Sequence, residues 1–290
     1  MAIAALRYLS EAHVASYHRD GYVAVPDVID PERIEALRAV TEEFVERARP
    51  VSASDDVFDL DPHHTADRPV LRRIKNPADN HPRYRWAAFE SPIPDIVTEL
   101  IGLDIKFHHS KLNLKSSQVG APVDWHQDAA FYPHSNDDVL AVGLLLDDAT
   151  AENGALAVLP GSHLGPVHEH YEGDRFTGSI GPDDLAGLDL GAACLLALRA
   201  GSIHIHHYRL IHGSAANTSS AERRLLINSY STADAIPLVP DSTRSPLYGR
   251  IVRGAAARVG RRQAGQFRMP PDFRGGYTSI YELQSQNPAR

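Results

Sequence analysis

After Gly102 the chain becomes a succession of short segments, each apolar or alternating: IKFHHSKLNLK, VDWHQD, VLAVGLLLD, GALAVLP, ACLLALRAG, SIHIHHYRLIHG and RRLLINSYS, parted by Gly, Pro, Asn and Asp. No helical pattern long enough for a crossover between parallel strands intervenes, so this texture predicts an all-β sandwich or barrel. Ahead of it the spacing predicts helices. Ser10 caps a short one that Gly21 ends, and YVAVP comes next as a brief strand. Asp30-Pro31 opens an amphipathic helix over 31–48, with Ile34, Leu37, Phe44, Val45 and Ala48 on its apolar stripe. Another helix covers 94–101. Between them, 50–90 is polar and irregular, the texture of a lid, a binding loop or a disordered segment. The expected architecture is mainly β with flanking α, one domain over 1–290. It has a helical part (1–102, with the lid at 50–90), a β core (103–235) and a C-terminal extension (236–290).

Composition narrows the partners. A net charge of -8, from 29 basic and 37 acidic residues, argues against a general nucleic-acid or anionic-membrane binder and leaves room only for a local basic patch. The single cysteine, Cys194, can form neither an internal disulfide nor a thiolate cluster, and AACLLAL reads as the setting of a buried structural thiol. The run VLAVGLLL is too short to span a bilayer, and the N-terminus lacks the pattern of a signal peptide. A cytoplasmic setting is expected.

Two His-x-Asp pairs occur, His18-Arg19-Asp20 and His126-Gln127-Asp128. Residues i and i+2 share a face on a strand and diverge on a helix. The first pair ends a helix and reads as a solvated terminus. The second lies in a strand-like stretch, where both side chains converge. A third ligand comes from Arg199–Tyr230, which offers His204, His206, His207 and His212. His204 and His206, taken with His212, equally suit a His-rich cupin-type site with another metal. A lone histidine on an apolar strand is more often a satisfied core residue. His212 is favoured by its downstream neighbours: a hydroxyl at Ser214, and a guanidinium at Arg223 able to grip a carboxylate with two hydrogen bonds. Two histidines and one carboxylate on one face of an octahedral ion form the facial triad of non-haem Fe(II) oxygenases, with room for a chelating 2-oxo acid and O2. Zinc prefers four-coordination and has no redox chemistry.

With these residues in place, LSEAHVASYHRDGYVAVPDVID, SKLNLKSSQVGAPVDWHQD, AENGALAVLPGSHLGPV and AGSIHIHHYRLIHGSAANTSSAERR together resemble the phytanoyl-CoA dioxygenase (PhyH) family of Fe(II)/2-oxoglutarate-dependent oxygenases. The resemblance implies a double-stranded β-helix, the jelly-roll or cupin-like core, with the N-terminal helices packed on it. It implies iron on His126, Asp128 and His212, and 2-oxoglutarate on Arg223, assisted by Ser214. Adjacent Arg224 must face the other way. SKLNLK resembles the strand before the metal motif in ectoine hydroxylase and its relatives. Asn113 and Lys115 are expected co-substrate contacts there, while Lys111 and Lys115 read equally well as a solvated strand face. The stretch QDAAFYPHSNDD lacks the signature of ectoine hydroxylase, so ectoine is not the expected substrate. Asp128 stands where related iron halogenases carry a small residue, which favours hydroxylation, with release of succinate and CO2. The rival reading is a catalytically silent member that binds a small ligand or a partner.

Other motifs carry less. ENGALAVLPGSH reads as turn, strand and turn, with His163 a structural hydrogen-bonder. His168 and His170 read as part of a solvated loop. Phe131 and Tyr132, just past the metal pair, are candidate pocket walls. Arg72 and Arg73, with Arg68 and Lys75, form a basic group that either holds a substrate anion or is merely solvated.

Overall fold

The computed structural model describes residues 6–273 and 279–285. Helix α1 (Glu11–Asp20) begins at the expected cap: Ser10 Oγ accepts from the His13 N–H, His13 Nδ1 accepts from the Ser10 N–H, and Gly21 closes the helix at φ 82°. Helix α2 (Pro31–Ala48) starts on Asp30, whose carboxylate accepts from the Arg33 N–H. It buries Ile34, Leu37, Phe44 and Ala48.

The stretch 50–90, expected to be an irregular lid, is largely built structure. Strand β2 (Phe58–Leu60) and strand β3 (Leu71–Lys75) extend a sheet edge, then come α3 (Pro77–Asn80) and α4 (Pro82–Phe89). The arginines of LRRIK disguise a strand that buries Leu71, Arg73 and Ile74. Tyr84 of α4 is fully buried, its hydroxyl 2.9 Å from Thr41 Oγ1 and its ring edge-on to Phe44. Helix α5 (Pro92–Ile101) ends at Gly102.

The remaining strands are β4 (Ile105–Lys115), β5 (Val123–His126), β6 (Val139–Leu145), β7 (Leu156–Val158), the small hairpin β8 (Tyr171–Glu172) and β9 (Arg175–Phe176), β10 (Cys194–Leu196), β11 (Ile203–His207), β12 (His212–Ser214), β13 (Arg223–Thr232) and β14 (Ile251–Arg253). Short helices α6 (Pro182–Ala186) and α7 (Ile280–Ser285) complete the described residues. All pairings are antiparallel. The large sheet runs β1 (Tyr22–Val25)-β11-β6-β13-β4-β3-β2, with β14 also on β4, and the small sheet runs β10-β7-β12-β5. This is the jelly-roll arrangement expected from the sequence. Cys194 lies half-buried rather than buried, because its strand β10 is the edge of the small sheet and pairs with β7 alone.

Strand alternation sorts the large sheet. Ile203 and Ile205, Leu226 and Tyr230, Leu112 and Leu114 pack with the helices in one core. The residues between them, His204 and His206, Arg223, Leu225 and Ile227, Lys111 and Asn113, face the small sheet and line a cavity. One face thus carries the core, the other the chemistry.

Candidate metal and co-substrate site

In the small sheet His212 is the register partner of His126, which brings their rings to 4.1 Å between centroids. Asp128 is not on the strand, as the sequence suggested, but opens a 3-10 turn, Asp128–Ala130. Gln127 keeps an extended backbone (φ -126°, ψ 129°), so His126 and Asp128 still project together. One ligand atom from each of His126, Asp128 and His212 lies within 4.8 Å of the others, and all three side chains are buried.

Their orientation is fixed from behind. His126 Nδ1–H donates to Asp124 O and His212 Nδ1–H to Leu210 O, each at 2.9 Å, leaving both Nε2 lone pairs aimed at the common point. Burial pushes the His126 imidazole down to about 4 and His212 well below the usual histidine range, so both are neutral donors. Burial alone would raise the Asp128 carboxyl. Lys111, with His206 and His212, instead holds it well below the carboxylate range. Two neutral imidazoles and one carboxylate fit a divalent iron. Gln127 braces the turn between them: its amide donates to Pro166 O (3.1 Å) and Arg209 O (2.7 Å), and its oxygen accepts from the His168 N–H (2.8 Å). His170, read as part of a solvated loop, is buried and accepts from the Gln127 N–H at 3.0 Å. His163 is structural, 3.2 Å from His18 O.

An inner chamber opens behind the triad. Arg223, Ser214 and Asn113 line it, with Tyr281 of α7. Arg223 is 4% exposed, has no carboxylate within 4 Å among the described residues, and its Nε has no hydrogen-bond partner. A buried guanidinium without an anion is costly, and this one faces the chamber that it lines. Arg224 points to the opposite face, where its Nη2 meets Asp147 Oδ1 at 2.7 Å and its Nη1 meets Glu42. Asn113 Oδ1 accepts from Arg73 Nε at 2.9 Å. Lys115 departs from its expected role. Its ammonium donates to the carbonyls of Ser214 (3.3 Å) and Ala215, so it clamps the end of β12 and does not line the chamber.

A larger outer chamber, about 150 Å³, meets the inner one at His126, Asp128, Lys111 and Arg73. Phe131 and Tyr132 form its wall as expected, and Phe131 packs edge-on against Phe176 at 5.1 Å. Arg72 does not join them: it turns away to Asp61 at 3.3 Å. Lys111, which read equally well as solvated, faces both chambers and has no ion-pair or hydrogen-bond partner among the described residues. Sequence reasoning missed His108 and His109, which both line the outer chamber with Nδ1 atoms 2.6 Å apart. Adjacent strand residues should face apart. The register slips by one residue here, Tyr230 pairing Phe107 while Ser229 pairs His109, and His108 is the extra residue of the bulge.

The family model for phytanoyl-CoA dioxygenase (PhyH) matches residues 17–225. This chain belongs to the phytanoyl-CoA dioxygenase family. Among its relatives is a protein of Stutzerimonas stutzeri described as a probable alpha-ketoglutarate-dependent hypophosphite dioxygenase, 34% identical, with 77% of this chain and 79% of the relative covered. The L-proline trans-4-hydroxylase of Streptomyces griseoviridis is 28% identical, covering 77% of this chain and 87% of the relative. The EctD protein of S. alaskensis, solved with 2-oxoglutarate and 5-hydroxyectoine, shares the fold at a TM-score of 0.67 and 24% identity, covering 87% and 88% of the two chains. The enzyme class read from the sequence is the class of these relatives: the chain is a non-haem, iron- and 2-oxoglutarate-dependent dioxygenase.

Proposed function

We propose that this dioxygenase hydroxylates a small molecule bound in the outer chamber. His126, Asp128 and His212 hold the iron, and Arg223 holds the distal carboxylate of 2-oxoglutarate with Ser214 and Asn113 beside it. Iron, 2-oxoglutarate and O2 together supply the oxidation, in which one oxygen atom enters the substrate and the other enters succinate as CO2 leaves. The protein's share is placement. The two Nδ1–H bonds aim the imidazoles, the Gln127 brace sets Asp128, and Phe131 and Tyr132 shield the reacting end from water.

The observation that carries this reading is a buried, anion-less Arg223 in a chamber that also contains the triad. It is tested anaerobically by adding Fe(II) and then 2-oxoglutarate to the apoprotein and following the weak visible charge-transfer band. Wild type and Arg224→Ala develop the band at similar 2-oxoglutarate concentrations, whereas Arg223→Ala needs far more. An iron-loaded, folded wild type without a band would favour the silent binder. A cupin-type centre on His204, His206 and His212 is disfavoured, because the convergent ligand atoms belong to His126, Asp128 and His212.

Lys111 and Arg73, both without a carboxylate within 4 Å among the described residues, favour a substrate with a small anionic group. That admits a second reading, oxidation at P–H, in line with the relative named for hypophosphite. Succinate production with L-proline, hypophosphite or neither as the added substrate separates the two. A cytoplasmic setting and the exclusion of nucleic acid belong to the same proposal, supported by the net charge of -8 and the free Cys194. No described helix is long and apolar enough to cross a membrane.

A further inference from the structure

Strand β11 carries two imidazoles that the chemistry above leaves idle. His204 and His206 are each 2% exposed, both line the inner chamber, and their rings stack at 5.7 Å. None of their four ring nitrogens has a hydrogen-bond partner among the described residues. A neutral imidazole always has an N–H to donate, and burying it unpaired costs free energy. The triad histidines and His170 all avoid that cost through an Nδ1 contact with a backbone carbonyl. The satisfied core histidine is therefore not the explanation for this pair.

The seat of His204 is built for it. Its register partner on β6 is Gly143, and a Cβ there would lie 2.3 Å from the imidazole ring. The sheet gives up a side chain where the ring lies. The pair also spans the chamber. His206 Nε2 is 3.7 Å from Asp128 Oδ2 and its ring is 4.5 Å from that of His212, whereas His204 is level with Ile227, two residues nearer Arg223 along β13 than Ser229, which is level with His206. A 2-oxo dicarboxylate held as proposed above would span the same two ends, with the triad at its oxo-acid group and the guanidinium at its far carboxylate.

We propose that His204 is a co-substrate-binding residue whose ring N–H donates to the distal carboxylate beside Arg223, and that His206 is a positioning residue whose N–H holds the Asp128 carboxylate. This inference rests on the placement of 2-oxoglutarate proposed above. An N–H donated to a charged carboxylate selects for the dicarboxylate, because a 2-oxo monoacid has nothing at that end to receive it.

The test is an anaerobic titration of the Fe(II)-loaded protein with 2-oxoglutarate and with 2-oxobutyrate, read by the charge-transfer band, together with Co(II) affinity measured without any oxo acid. A wild type that develops no band with 2-oxoglutarate refutes the placement itself; the histidine assignments are judged only once that band is seen. His204→Leu then weakens 2-oxoglutarate roughly tenfold or more, leaves 2-oxobutyrate and Co(II) affinity near wild type, and is partly rescued by His204→Gln. His206→Leu weakens Co(II) roughly tenfold and leaves the ratio between the two oxo acids unchanged. If His204→Leu binds 2-oxoglutarate like wild type, or loses both oxo acids equally, the His204 role is wrong. Unchanged Co(II) affinity in His206→Leu removes the positioning role. Should a leucine variant fail to fold, His204→Phe or His206→Phe keeps a ring in place without the N–H and carries the same readouts.

Discussion

Arg223 and Arg224 are consecutive on β13, yet one is buried with no carboxylate within 4 Å among the described residues and the other is held by Asp147 and Glu42 on the opposite face. The pleat alone separates a binding arginine from a structural one. Their removal should therefore have opposite signs. Arg223→Met replaces an unpaired buried cation with an apolar side chain of similar reach, so the apoprotein should melt at the same or a higher temperature while losing its stabilisation by 2-oxoglutarate. Arg224→Ala removes the guanidinium bonds to Asp147 and Glu42, leaves Asp147 only Arg38 and the backbone N–H of residue 224, and should cost about 1–2 kcal/mol in urea unfolding, with 2-oxoglutarate stabilisation retained. Equal loss of stability in both variants would contradict the assignment.

The brace at Gln127 predicts a loss of metal affinity at a residue that binds no metal. Gln127→Ala removes three hydrogen bonds that fix the turn between His126 and Asp128. Supporting contacts of this kind are worth roughly 10–100-fold in affinity. Co(II) titration should show a loss in that range. Wild-type affinity in the folded variant would mean that the turn is held by its backbone alone.

The legible parts of the site are those whose signals are local. The caps at Ser10 and Asp30 and the stop at Gly21 act within one turn, so a sequence window contains them. His126, Asp128 and His212 were legible because pleat spacing and motif order agree, although the turn at Asp128 was not. Strand β3 stayed hidden because its burial comes from pairing with β4, through Arg73 and Asn113, Ile74 and Leu112, Lys75 and Lys111, contacts that no local pattern records. The same pairing helps to wall Lys111 into the cavity, which is why its strand reads equally well as a solvated face. His108 and His109 share a chamber only because the partner strand β13 slips register, a property of two strands and not of one.

Buried histidines set the acid limit of the apoprotein. Burial pushes His109 down to about 3 and His134 and His170 to about 4, below the unfolded value near 6.5. Below that value the unfolded chain binds protons that the folded chain refuses, so stability falls as pH drops from about 6.5 towards 4. Each such histidine contributes up to about 1.4 kcal/mol per pH unit across that window. Urea midpoints of the metal-free protein at pH 7.5, 6.5, 5.5 and 4.5 should fall modestly between the first two and then decline more steeply. His134→Phe should flatten part of that decline, because it removes one proton acceptor from the unfolded chain while filling the same space beside His108 and Tyr208. An unchanged acid slope in that variant would show that His134 is already protonated in the folded protein.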